Sequence, residues 1–197
     1  MSNAIPVRLG VLASGRGSNF SAIVAAIGRG ALAADVRLLA SDIADAPALD
    51  SARKAGIEAV HIPYVRADRR AFETRVEQMF DERGVQLVIL AGFMRLITPD
   101  FIRHFDGRIL NIHPSLLPSF KGLHAQRQAL DAGVKISGCT VHVVTAEMDA
   151  GPILGQRAVP VLPGDTEDTL SSRILAEEHR LFPACIREYA TQLGYLS

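Results

Sequence analysis

The sequence predicts an α/β protein: a mostly parallel twisted sheet with helices on both faces and a mixed or antiparallel edge. Three observations carry that reading. From Val7 to Ala91, short apolar runs alternate with segments of helical spacing, giving the β-α-β-α-β-α-β order from which parallel sheets are built. The last of these runs, Val85–Ala91 (VQLVILA), is almost continuously apolar, as a strand covered on both faces should be. Further along, Lys135–Val144 and Ile153–Val161 are strand-like with no helix between them, so they belong on an antiparallel or mixed edge.

Val7–Ala13 (VRLGVLA) is the first strand. It runs directly into Ser14-Gly15-Arg16-Gly17-Ser18-Asn19 and then into FSAIVAAIGRG, where Phe20, Ile23, Val24 and Ile27 share a helical face. Asp35–Ala40 is the second strand, Ala46–Gly56 a helix with Gly56 near its C-cap, and Ala59–Ile62 a short third strand. Over Asp68–Arg83 the residues Phe72, Val76, Met79 and Phe80 fall at i, i+4, i+7 and i+8, the stripe of a helix packed on a sheet. A short helix after Pro99 leads to a strand ending at His113, and Leu123–Ala132 is another helix ahead of Gly133. The last segment is helical, with Leu170, Ile174, Leu181, Phe182, Ile186, Tyr189 and Leu193 apolar, and Pro183 should kink or restart it.

One domain over residues 1–197 is the expectation for this length. Lys plus Arg and Asp plus Glu both number 21 and no long run of like charge occurs, so no nucleic-acid or membrane surface is indicated and a small-molecule partner is expected. No apolar run approaches the roughly 20 residues of a membrane span, and the short arm Met1–Pro6 lacks the apolar centre of a secretory signal. The two cysteines, Cys139 and Cys185, make no C-x-x-C, which fits a reducing cytoplasm better than a disulfide framework or structural zinc.

Chemistry concentrates in Gly107–Gly122, GRILNIHPSLLPSFKG. Strand alternation puts Asn111 and His113 on one face and Leu110 and Ile112 on the other, and Pro114 and Pro118 end the strand where the two polar groups emerge. An amide to hold a developing oxyanion and an imidazole to carry a proton are what acyl transfer to an amine needs. The glycine loop at Ser14–Asn19 lies between strand and helix, where backbone N–H groups converge on an anion, and Ser18 or Asn19 is the expected N-cap. No Gly-Lys-Ser/Thr follows, and the third glycine of a dinucleotide fingerprint would fall at Phe20, so a single phosphate fits best; Asp42 leaves a ribose-binding nicotinamide site as the weaker alternative.

Asp149 precedes Ala150-Gly151-Pro152. It is either an ordinary turn residue or, if its loop folds back, the carboxylate partner of His113, and a carboxylate beside an imidazole favours the imidazolium. Phe93-Met94-Arg95-Leu96-Ile97 follows a buried strand and can offer apolar walls and backbone amides to a flat heterocycle. His61, His104, His124, His142 and His179 lack metal-motif spacing and read as solvated or core groups, although His124 and His142 can line the site; Cys139 reads as core.

Four separated stretches, SGRGSN, AGFMRLITPDF, LNIHPSLLPSFKGLHA and MDAGPIL, resemble in order the folate-dependent phosphoribosylglycinamide formyltransferases of purine biosynthesis, across nearly the whole chain. The resemblance implies a Rossmann-like formyltransferase fold and formyl transfer from 10-formyltetrahydrofolate to the amine of phosphoribosylglycinamide. By motif, it assigns catalysis to Asn111, His113 and Asp149, and substrate binding to Gly17, Ser18, Asn19 and Glu178. It assigns the folate to Arg69, Met94, Arg95, Leu96, Ile97 and Asn111, with adjacent Arg70 as an alternative to Arg69. It implies a cytoplasmic monomer or homodimer, and no metal is required. Two relatives of the same fold are rivals: methionyl-tRNA formyltransferase, which needs a further C-terminal domain and a basic surface, and formyltetrahydrofolate deformylase, which transfers the group to water and usually carries an N-terminal regulatory module.

Overall fold

The computed structural model of the protein describes residues 5–196, so the expected arm at Met1–Pro6 lies largely outside the described residues. Strands β1 (Val7–Leu12), β2 (Ala34–Ser41), β3 (Ala59–His61), β4 (Leu87–Leu90), β5 (Ile109–His113), β6 (Ile136–Val143) and β7 (Ile153–Pro160) form one sheet in the order β3-β2-β1-β4-β5-β6-β7. The pairings from β3 through β5 are parallel, whereas β6 pairs antiparallel with both β5 and β7. The expected antiparallel edge is therefore the β6–β7 hairpin. Strand order reverses between β1 and β4, which opens a crevice at their carboxyl ends, where open α/β sheets bind ligands.

The helices are α1 (Ser18–Gly28), α2 (Pro47–Lys54), α3 (Arg69–Glu82), α4 (Pro99–His104), α5 (Ala125–Asp131) and α6 (Glu167–Gln192). Strand alternation divides the core in two. Leu9, Val11, Ile89, Leu110 and Ile112 pack with α1, α2, α5 and α6, while Leu12, Leu38, Val88, Leu90 and Ile109 pack with α3 and α4. The α3 stripe meets the sheet as its spacing requires, with Phe72, Val76, Met79 and Phe80 buried, and Asp68 caps the helix by accepting from the Ala71 N–H at 3.1 Å. Gly10 gives Phe80 its seat: a Cβ there would lie 2.7 Å from the ring.

Three expectations change. The helix expected at Pro183 to kink or restart runs as one element from Glu167 to Gln192. Proline removes a single backbone bond, and burial of Phe182, Cys185 and Ile186 on either side of it holds the helix through that loss. Leu193 is not an apolar contact of that helix but its exposed C-cap. Neither Ser18 nor Asn19 caps α1; the N-cap is Gly17 at φ 72°, and no side chain satisfies the first N–H groups. No described helix is long and apolar enough to cross a membrane.

Phe80 is fully buried and packs edge-on against Phe105 at 6.1 Å. Phe80→Ala should lower the unfolding free energy by about 3–5 kcal/mol, seen as an earlier urea midpoint at unchanged slope. A loss below about 1 kcal/mol would mean that the ring does not seal this layer.

Candidate active site

The site lies at the carboxyl ends of β1, β4 and β5. Because Leu110 and Ile112 are anchored on the α6 side, Asn111 and His113 leave β5 on the opposite face, at its last turn before Pro114. Register with β6 sets Asn111 opposite His142 and His113 opposite Thr140. The loop after β6 then folds back, and the Asp149 Oδ2 comes 3.5 Å from His113 Nδ1 while Oδ1 comes 3.7 Å from His142 Nε2. Of the two readings open for Asp149, the geometry gives the one in which it meets His113. It reaches that position with φ 51°, and the Gly122 N–H donates to its Oδ2 at 2.8 Å.

Hydrogen-bond direction sets the rings. His142 Nδ1 faces the Val143 carbonyl at 3.1 Å, which can only accept, so the proton sits on Nδ1 and Nε2 is left to accept from Asn111 Nδ2 at 3.1 Å. Burial pushes the His142 pKa down, against smaller upward contributions from the Val143 carbonyl and Asp149, and this favours the neutral ring that the arrangement requires. One Asn111 N–H is thereby pinned and the other left for a ligand. His113 Nε2 donates to the Phe120 carbonyl at 2.9 Å. His142 thus sits against Asn111 and Asp149, whereas His124 is the exposed, left-handed N-cap of α5. A β-branched run around His142 marked the strand, but only pairing register shows that it faces Asn111.

The glycine loop is built around Gly17. Its left-handed φ suits glycine, and a Cβ would lie 2.7 Å from that of Ala48, so the backbone can make this turn only without a side chain. Ser18 and Asn19 sit in the uncapped first turn of α1, and buried Asn19 donates from Nδ2 to Glu178 Oε2 at 2.7 Å. Burial raises the Glu178 pKa, offset in part by Asn19. The Asn19 Oδ1 is buried without a partner among the described residues, an acceptor that a ligand donor can satisfy. Asp42 is tied to the 93–97 segment, its Oδ2 accepting from Arg95 Nε at 2.6 Å, while its buried Oδ1 has no partner among the described residues.

Met94 and Leu96 are largely exposed, and among the described residues no hydrogen bond engages the backbone N–H groups of Arg95, Leu96 and Ile97. Apolar side chains beside open amides fit the edge and face of a flat heterocycle. The Arg95 guanidinium is spent on Asp42 and on the Tyr64 ring 4.9 Å away, so this residue can offer a ligand its main chain. Arg70 is held by Glu77 through two hydrogen bonds of 2.5 and 2.8 Å, whereas half-buried Arg69 enters no ion pair among the described residues. The free guanidinium is therefore that of Arg69. Both cysteines are buried thiols, with burial pushing Cys139 up to about 12 and Cys185 up to about 11.

Residues 7–186 match the formyl transferase family. The chain is 44% identical over 182 residues to the phosphoribosylglycinamide formyltransferase of Escherichia coli K12, covering 91% of this chain and 85% of that protein. It is also 44% identical over 185 residues to the trifunctional purine biosynthetic protein adenosine-3 of Bos taurus, where it covers 93% of this chain but spans only 18% of that protein's length. Among solved structures, glycinamide ribonucleotide transformylase 1 from Symbiobacterium toebii superposes with a TM-score of 0.92 at 50% identity, covering 96% of this chain and 90% of that one. A formyltetrahydrofolate deformylase from Pseudomonas syringae superposes at 0.86 with 27% identity, covering 92% of this chain and 60% of that one.

The neutral His142 has a consequence for acid stability. The unfolded ring protonates near pH 6.5 and the folded ring only at lower pH, so between those values the unfolded chain binds more protons. Stability should therefore fall as pH drops below about 6.5 and level off once the folded ring protonates. In His142→Gln, denaturant melts should show a shallower fall, not a flat one, because burial depresses His179 as well. Equal slopes in both proteins would show that His142 takes up its proton freely.

Proposed function

The chain belongs to the formyl transferase family, and we propose that it transfers a formyl group from 10-formyltetrahydrofolate to the amine of 5-phosphoribosylglycinamide. The products are 5-phosphoribosyl-N-formylglycinamide and tetrahydrofolate, a step of de novo purine biosynthesis. The observation that carries this reading is the convergence of Asn111, His113 and Asp149 at the mouth of the crevice that also holds the Gly17–Asn19 loop.

In this reading the ribonucleotide phosphate lies on the uncapped N–H groups of Gly17, Ser18 and Asn19, where the α1 dipole favours an anion, and its sugar hydroxyls reach Glu178. The folate heterocycle lies against Met94, Leu96 and Ile97 and bonds the open amides of Arg95–Ile97, with its acidic tail toward Arg69. The two substrates meet at Asn111. The amine lone pair attacks the formyl carbon, the carbonyl electrons move to oxygen, and the free Asn111 N–H receives the oxyanion. His113 Nε2–H is the second donor once the oxyanion takes the place of the Phe120 carbonyl. When the C–N bond to folate breaks, the attacking nitrogen gives up a proton and the departing nitrogen takes one, directly from His113 or through water, with Asp149 beside Nδ1 stabilising the charged ring between the two transfers.

A cytoplasmic location and a monomer or homodimer complete the reading, supported by equal counts of acidic and basic residues and two free buried cysteines. The deformylase reading needs no acceptor amine and leaves the Gly17–Asn19 loop and Glu178 without a ligand.

A coupled assay for loss of 10-formyltetrahydrofolate should show turnover only when phosphoribosylglycinamide is present. Turnover with water alone would favour the deformylase. Asn111→Leu preserves bulk at a half-buried position, and with the oxyanion donor gone kcat should fall about 10²-fold or more while the thermal midpoint stays close to wild type. A folded variant with near-normal kcat would remove Asn111 from the reaction.

A further inference from the structure

The segment Phe93–Ile97 has exposed side chains and irregular backbone, yet a wall for a heterocycle must be rigid to be selective. Helix α3 fastens it at both ends. At the start, Phe93 stacks on Phe72 with ring centroids 5.7 Å apart and planes at 14°. At the finish, the Glu73 carboxylate, 2% exposed, accepts from the Thr98 backbone N–H at 2.6 Å with Oε1 and from the Thr98 hydroxyl at 2.5 Å with Oε2. Thr98 in turn begins α4, its Oγ1 accepting from the Phe101 N–H at 3.4 Å.

A buried carboxylate is costly unless its acceptors are filled, and Glu73 fills both oxygens with one residue of the loop. The Arg70 guanidinium, 3.6 Å away, supplies a counter-charge while remaining bound to Glu77. Arg69 lies four residues before Glu73, so the two side chains leave α3 on neighbouring positions of one face. The same helical turn thus carries the free cation and the anchor of the wall.

We propose that Glu73 is a positioning residue for the folate cosubstrate: it touches no substrate, and through Thr98 it holds the 93–97 wall in fixed relation to Arg69. The proposal rests on the assignment of Met94–Ile97 and Arg69 to the folate. It accounts for a buried, fully bonded carboxylate that the formyl transfer itself does not use.

The test is binding of a stable 10-formyl-5,8-dideazafolate, with and without its glutamate tail, to the full chain and its variants, alongside KM for each substrate. Thr98→Val keeps the shape of the side chain but removes the hydroxyl held by Glu73. It should weaken both forms of the probe, and raise the folate KM, roughly tenfold, with kcat and the ribonucleotide KM within about twofold of wild type. Thr98→Ser, which keeps the hydroxyl, should retain most of the affinity, whereas Glu73→Gln, which keeps one acceptor and turns the other into a donor, should lose part of it without affecting the ribonucleotide KM. Arg69→Ala should weaken only the form that carries the tail. Unchanged probe binding by Thr98→Val, or equal losses for both substrates, overturns the proposal. Failure of the wild-type chain to bind the probe removes the folate assignment itself, and the proposal with it.

Discussion

Antiparallel pairing of β6 on β5 is the constraint on which the rest of the site depends. β5 is held parallel to β4 on one side, so its direction and depth follow from the βαβ body, and β6 must then choose a register against it. With Asn111 opposite His142, Val141 and Val143 enter the α6-side core beside Leu110 and Ile112. A slip of one residue would turn those valines outward and carry His142 to the wrong face, so hydrophobic burial selects the register that also orients the Asn111 amide. Helix α6 reinforces the choice: Gly155 of β7 lies so close beneath it that a Cβ would stand 2.7 Å from the Cys185 sulfur.

On that pairing rests an irregular stretch that would otherwise have no reason to hold its shape. Thr140, directly opposite His113 across the strand pair, donates from Oγ1 to the Ser115 carbonyl at 2.7 Å and accepts from the Leu117 N–H and Gln156 Nε2, each at 3.0 Å. Phe120, His124 and Asp149 all adopt positive φ, conformations that cost of order 1–3 kcal/mol each for residues with side chains. They persist because Gln128 bonds the Lys121 and Leu123 carbonyls and Asp149 receives the Gly122 N–H. The strain gathers where the loop turns its carbonyl onto His113 and its carboxylate between two imidazoles. Such over-determined geometry holds the Asn111 donor in place, whereas His113 Nε2–H is occupied by the Phe120 carbonyl.

The two halves of the crevice are also joined to each other. Ser14, in the glycine loop, donates its N–H to the Gly92 carbonyl at 3.0 Å and accepts the Met94 N–H at 2.9 Å through its hydroxyl. Asp42, at the end of β2, holds Arg95 across the switch point. The glycine loop and the 93–97 segment are therefore joined in one hydrogen-bonded unit, with α3 as its outer frame. In the proposed reaction this would limit how far the attacking amine and the formyl carbon drift apart, and orientation of that kind is a large part of what an enzyme contributes to a bimolecular step.

The sequence by itself determined the alternating fold, the mixed edge, the glycine loop and the pairing of Asn111 with His113 on one strand face. Each is a local property: hydrophobic period, turn chemistry, or alternation over a few residues. It also determined the α3 stripe, down to Phe72, Val76, Met79 and Phe80. Tertiary structure alone decided four other matters. Asp149 could have been a simple turn residue until its loop folded back across 36 positions to His113, the distance between two sequence numbers that no local pattern links. His142 and His124 could equally line the site in the sequence, until register set His142 against Asn111. Arg69 and Arg70 are adjacent and chemically alike, and only the Glu77 carboxylate on the next turns of α3 shows which one is occupied. Pro183 reads locally as a helix breaker, yet α6 continues through it because burial on both sides outweighs one missing hydrogen bond. In every such case the deciding partner is distant in sequence or shared by two equal candidates, and only packing and hydrogen-bond direction in three dimensions can choose between them.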